Sequence, residues 1–165
     1  MADAGRHPKI QLLTNSEVKS VTGYVGNFEA RILKKARFVR EAECTACGDC
    51  AAVCPVLAPD EFNQGLSTRR AIYRPFAQAV PGAYLLDKGI CLGHDPIKCG
   101  KCAEACQKNC IDFDMSDEEI TVQAGAIVVA TGMEVYDPTV LDEYGYTRYQ
   151  NVVTSLELER LINAG

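Results

Sequence analysis

Apolar and polar residues alternate along two stretches near the start of the chain, Glu17–Val25 and Phe28–Leu33, with Phe28, Ala30 and Ile32 falling on one face. Alternation of this kind predicts strands covered on one side, and the intervening Gly26-Asn27 predicts a hairpin turn. Ile10–Thr14 also reads as extended, and the basic stretch Lys34-Lys35-Ala36-Arg37 leads through Phe38-Val39 towards the first cysteine. From Cys44 to Phe113 the periodicity fades, and Gly, Pro and Cys punctuate the chain. After Asp114 it returns. Glu119–Gln123 predicts a short strand. Ala126-Ile127-Val128-Val129-Ala130-Thr131-Gly132 is an apolar run ending in a small-residue turn, which predicts a strand buried on both faces, as in a parallel sheet. The last predicted element is a helix, Leu156–Ala164, with Thr154 and Glu157 as a capping box and Gly165 as its stop.

The 165 residues suffice for one ordinary domain, and an apolar fraction of 47% with 24% charged residues is that of a globular chain. The middle stretch cannot build a large apolar core, so it needs a metal to offset the entropy of ordering it. No apolar run approaches the roughly 18 residues of a membrane span, and MADAGRHPKI has no apolar segment resembling a secretory signal. The expectation is a cytoplasmic chain. Its net charge of −5 disfavours nucleic acid as a partner. That total hides a gradient. Residues 1–40 carry eight Lys/Arg against three Asp/Glu, whereas residues 112–165 carry two against eleven. Flanks of opposite sign can lie against each other with the cysteine stretch looped out between them, or can be two separate solvated faces.

Nine cysteines in a reducing compartment argue for metal ligation over disulfides, and an odd number cannot all pair. The first run, Cys44-Thr45-Ala46-Cys47-Gly48-Asp49-Cys50-Ala51-Ala52-Val53-Cys54-Pro55, has the spacing C-x2-C-x2-C-x3-C-P used by bacterial-type ferredoxins. Three thiolates two residues apart can curl around one cubane, and Pro55 turns the chain away after the fourth. A structural zinc site needs only paired C-x2-C units and has no use for the middle cysteine; zinc stays open as a lesser reading. The second run, Cys91 followed by Cys99-Gly100-Lys101-Cys102-Ala103-Glu104-Ala105-Cys106, repeats the pattern with its first gap widened by Gly93-His94-Asp95-Pro96 and neighbours. Similarity to two-cluster ferredoxins implies two [4Fe–4S] clusters whose ligands cross between the runs: Cys44, Cys47, Cys50 and Cys106 for one, Cys91, Cys99, Cys102 and Cys54 for the other. Cys110 is then spare, a buried free thiol or a competitor of Cys106, since Gln107 stands where a proline is expected.

Other candidates are weaker. His94 can tune a cluster or be plain polar surface, and Arg69, Arg70 and Arg74 can form a docking patch for an anionic partner or a solvated face. No G-x-G-x-x-G occurs, and no nucleophile–base pairing suggests hydrolysis.

Three further segments carry a resemblance. They are Ser16-Glu17-Val18 with Gly23-Tyr24-Val25-Gly26-Asn27-Phe28, then Ala71-Ile72-Tyr73-Arg74-Pro75-Phe76-Ala77-Gln78-Ala79-Val80-Pro81, then Gly125–Gly132 with Tyr144-Gly145-Tyr146 and Asn151–Glu157. Together with the cysteines they resemble the A-subunit family of heterodisulfide reductase, the flavin-binding part of electron-bifurcating complexes of methanogens and other anaerobes. The resemblance implies an α+β fold, with a two-cluster ferredoxin-like module inserted into a thioredoxin-reductase-like FAD domain. It gives boundaries of 1–38 for a flavin-domain β segment, 39–115 for the insertion and 116–165 for the returning strand and helix. It also implies that Ala130, Thr131 and Gly132 contact FAD. The pyrophosphate-binding glycine turn is absent from this chain, so the resemblance implies that FAD is shared with a missing portion or a partner chain. The implied partners are that flavin-domain portion and further iron–sulfur subunits of the complex. The expected role is electron transfer between a flavin and external redox partners, as part of an oxidoreductase that is not catalytically complete alone. A free-standing two-cluster ferredoxin is the alternative.

Overall fold

A computed structural model describes residues 4, 5, 7–93 and 99–162. The alternating N-terminal stretches form β1 (Ser16–Tyr24) and β2 (Asn27–Lys34), which pair antiparallel from Ser16↔Lys34 to Tyr24↔Asn27. The turn is Val25-Gly26 rather than the expected Gly26-Asn27, because Gly26 supplies the positive φ of 94° and Asn27 is already in the ladder. Ile10–Thr14 forms no strand. A bulge between Val18 and Ser20 has a clear effect on packing. Val18 and Val21, three apart, would otherwise point to opposite faces, yet they pair with Ile32 and Ala30 on the same one.

The third strand of this sheet, β7 (Glu118–Ala124), comes from the far side of all nine cysteines and pairs antiparallel with β2. Its Ile120, Val122 and Ala124 lie opposite Ile32, Ala30 and Phe28, continuing one apolar face across the sheet. Charge matches along the seam. Lys34 pairs with Glu118, the Ala36 N–H donates to Asp117 Oδ1 at 2.8 Å, and Gln123 Nε2 donates to Glu29 Oε2 at 3.0 Å. The basic end of β2 and the acidic start of β7 therefore lie side by side, with the cysteine stretch looped out between the two strands.

Inside that loop, the elements are short: α1 (Asp49–Ala52), β3 (Leu57–Pro59), β4 (Thr68–Arg70), β5 (Ile72–Tyr73), β6 (Leu85–Leu86) and α2 (Lys101–Ala105). β3 pairs with β4 and β5 with β6. Among the described residues the buried apolar side chains here are few: Phe38, Val39, Ala71, Ile72, Ala83 and Leu86, together with Cys50, Cys54, Cys102 and Cys110. The neck of the loop is closed by a Val39↔Ile111 bridge and by the Asp112 N–H donating to the Phe38 carbonyl at 3.0 Å.

Two compact units divide the chain, one of Met1–Ala58 with Arg69–Ile127, the other of Pro59–Thr68 with Val128–Gly165. In the second unit two short 3-10 turns, Pro138–Val140 and Asp142–Tyr144, precede α3 (Ser155–Ile162). The expected ends of that helix at Ala164 and Gly165 lie outside the described residues. The run Ala126–Gly132 departs from expectation. It forms no strand, and Val128 and Val129 are 90% and 78% exposed. A strand buried on both faces needs neighbours and a covering layer, and none among the described residues surrounds this run. The three-stranded sheet is antiparallel throughout. The mixture of strands and short helices is α+β in class. Among the described residues no helix is long and apolar enough to cross a membrane.

Candidate metal centre

Each cysteine run places a glycine in left-handed backbone directly after a cysteine and then starts a short helix. Gly48, with φ 97°, stands between Cys47 and α1, and Gly100, with φ 65°, stands between Cys99 and α2. Ala46 is also left-handed, at φ 56°. These reversals curl the first loop so that Cys44, Cys47 and Cys50 line one cavity. The second loop sends Cys91, Cys99 and Cys102 into another. α1 and α2 pack against each other, and the fourth cysteine of each run crosses over. Cys106 lines the first cavity and Cys54 the second. Val39, Tyr84 and Ile111 complete the first wall; Ile72, Leu86 and Phe113 complete the second.

None of the nine cysteines is in a disulfide. Among the described residues, no three His, Cys, Asp or Glu side chains are gathered so as to hold a single metal ion. A zinc ion would draw its sulfurs to about 2.3 Å from one centre. Four thiols spread around the wall of a cavity suit a polynuclear cluster instead, in which each iron meets its own thiolate. The donor set therefore fits iron–sulfur clusters. Burial pushes the Cys50 thiol up to about 12 and the Cys102 thiol up to about 11, so metal binding there must expel protons. At Cys106 burial also acts upwards, but the N–H groups of Cys110, Lys108 and Asn109 face its sulfur and bring the thiol below its ordinary value. The Gly93 N–H donates similarly to Cys91 Sγ at 3.3 Å. Backbone donors of this kind stabilise thiolate and set cluster potentials.

Cys110 is 3% exposed and sits on the wall of the first cavity, its Sγ 3.4 Å from that of Cys106. Tyr84 is a residue that no sequence signal marks. It borders the same cavity, and burial raises its phenol. Arg69 belongs to the interior, not to a docking patch. It is 8% exposed, donates to Asp87 Oδ2 at 2.9 Å and lies 4.1 Å over the Tyr73 ring. His94 lies outside the described residues. Ala130, Thr131 and Gly132 are exposed on irregular backbone, and Gly132 has open space where a Cβ would stand.

An α+β chain that gathers five thiols around one cavity and four around another has a donor set that fits polynuclear metal centres. Its relatives narrow the class. It is 50% identical over 163 residues, 99% of its length, to the iron-sulfur A subunit of the CoB–CoM heterodisulfide reductase of Methanocaldococcus jannaschii. It is 48% identical over 99% of its length to the A subunit of the H2:CoB-CoM heterodisulfide,ferredoxin reductase of Methanothermobacter marburgensis. It is 46% identical over 98% to the A subunit of the ferredoxin:CoB-CoM heterodisulfide reductase of Methanosarcina acetivorans. Along nearly its whole length the chain is thus related to a portion of the heterodisulfide reductase A subunit, which is a component of oxidoreductases. It spans about a quarter of the length of the relatives it matches, 24%, 24% and 20% in these three. No family model matches the chain.

Proposed function

We propose that this chain conducts electrons through two [4Fe–4S] clusters within a heterodisulfide-reductase-like, flavin-based oxidoreductase complex. Cys44, Cys47, Cys50 and Cys106 hold one cluster; Cys91, Cys99, Cys102 and Cys54 hold the other. The observation that carries this reading is the pair of cavities, each lined by three cysteines of one run and the last cysteine of the other. When bound, such a cluster takes up or gives one electron at a potential set by its surroundings, within about −700 to +450 mV. This chain's part is to hold the irons, exclude water with Val39, Ile72, Leu86 and Phe113, and aim N–H groups at Cys91 and Cys106. The packing of α1 on α2 keeps the two sites beside each other.

In this reading residues 39–115 are a ferredoxin-like insertion, flanked by segments 1–38 and 116–165 of a FAD domain. The pairing of β2 with β7 supports it, because the chain leaves the sheet and returns to the same strand. Ala130, Thr131 and Gly132 are this chain's share of the flavin surroundings. The rest comes from a flavin-domain portion, with further iron–sulfur subunits as partners in a cytoplasmic assembly. The exposed apolar residues of β1 and of the Ala126–Gly132 run support a covered rather than a free-standing chain.

Anaerobic purification followed by iron, sulfide and flavin counts tests the proposal. About eight irons per chain, with the paramagnetic signal of two interacting clusters after dithionite reduction, are expected. Colourless protein containing zinc, or a content of about four irons, would overturn it. A monomer that carries both clusters yet never associates with a flavin-bearing partner would point to a free-standing electron carrier.

A further inference from the structure

The first cavity is lined by five thiols, not four. The geometry points to Cys110 as an alternative fourth ligand that can replace Cys106 on the first cluster, an inference that rests on the cluster reading above. Its Sγ lies 3.4 Å from Cys106 Sγ, and its thiol also meets that of Cys44, so the sulfur sits between two corners of the ligand set. A change between staggered χ1 wells moves a cysteine sulfur by on the order of 3 Å, enough to reach the corner that Cys106 occupies. Ligation exchanges one thiolate for another on the same iron. The Cys110 proton leaves to solvent, a proton is taken up by the displaced Cys106, and no electron is transferred.

The two cysteines are held by different elements. Cys106 caps the end of α2 with extended backbone, φ −79° and ψ 99°. Cys110 is clamped from the other side of the neck, where its carbonyl accepts from the Arg40 N–H at 2.8 Å and the next residue bridges to Val39. Truncating Cys106 therefore leaves Cys110 in place and opens room beside it. A small apolar residue would satisfy packing alone at this position. A thiol against those of Cys106 and Cys44 satisfies more than packing.

The test uses the full chain, prepared anaerobically, in four forms beside the wild type: Cys106→Ala, Cys110→Ala, Cys106→Ala/Cys110→Ala and Cys47→Ala. Cys106→Ala and Cys110→Ala should each keep about eight irons, and the double variant about four. Cys47→Ala, which removes a corner that has no spare thiol, should also fall to about four. The cluster retained in Cys106→Ala should show a shifted reduction potential and an altered paramagnetic spectrum, because its ligand lies in a different set of N–H donors. A Cys106→Ala protein that is insoluble or holds about four irons overturns the inference, as does loss of four irons in Cys110→Ala alone. Failure of the cluster reading is distinguished by the wild type, which would then itself lack eight irons.

Discussion

Gly48 sits between two thiols of the first cavity with φ 97°, where a side chain costs roughly 1–2 kcal/mol. A Cβ there would stand 3.4 Å from the Tyr84 hydroxyl, an ordinary contact. The cost of Gly48→Ala is therefore backbone strain, not collision. The substitution should lower the stability of the iron-loaded chain by about 1 kcal/mol and hasten iron loss, as measured by denaturant unfolding followed at the cluster absorbance. An unchanged midpoint would show that the loop relaxes out of left-handed backbone. At this scale the cysteine spacing was legible, because a ligand set has to recur in sequence before it can close in space. Arg69 was not. Beside Arg70 and Arg74 it reads as a surface patch, whereas its carboxylate partner, Asp87, lies 18 residues away on the far side of a turn and strand. Tyr84 was invisible for the same reason, since only the fold brings it to the cavity.

A shared pattern sets the elements, and α3 shows it best. The Thr154 N–H donates to Glu157 Oε2 at 2.6 Å, and the Glu157 N–H donates back to Thr154 Oγ1 at 3.2 Å, the reciprocal box that the sequence predicts. Tyr146 Oη adds a third bond to Glu157 at 2.7 Å. Burial acts to raise the Glu157 carboxyl, but these donors outweigh it and hold the group below its ordinary value. A carboxyl depressed in the fold contributes stability above its unfolded value, about 4.3, and loses it as pH falls through the lower folded value. Protection of the Thr154 amide against hydrogen exchange should fall on acidification across that window. In Glu157→Gln, which keeps a side-chain acceptor without a charge, the acid step should disappear. An acid step of equal size in the variant would remove Glu157 as its origin. Thr154→Ala should cost about 1 kcal/mol locally. Strands were legible wherever one face is covered, as in β2 and β7. Ala126–Gly132 misleads because its composition is that of a covered strand while its surroundings are open, and composition reports the covering a segment is made for, not what stands beside it.

The whole molecule places its ordering problem between β2 and β7. The stretch of residues 35–117 there holds only a handful of buried apolar side chains among the described residues, and four of the ten buried residues of their apolar core are cysteines. Fixing each backbone residue costs about 1–2 kcal/mol, while a fully buried side chain such as Ile72 returns about 1.5–3. In the proposed reading iron–thiolate bonds make up the difference, and they would tie α1 to α2 at two points through the crossed Cys54 and Cys106. The β1–β2–β7 ladder owes nothing to the thiols, since its hydrogen bonds run strand to strand. Stripping the iron with a chelator should therefore split the behaviour of the chain. Protease cleavage should concentrate between Cys44 and Cys110, and hydrogen-exchange protection should vanish there. The amides of β2, flanked on both sides, should keep most of their protection. If the iron-free chain retains the protection pattern of the loaded one, the module folds on its apolar contacts, and the metal is a passenger in a preformed cage. If β2 unfolds together with the loop, then the Val39↔Ile111 neck and the Ala36–Asp117 bond couple the sheet to the clusters, and occupancy of the metal sites is felt throughout this unit.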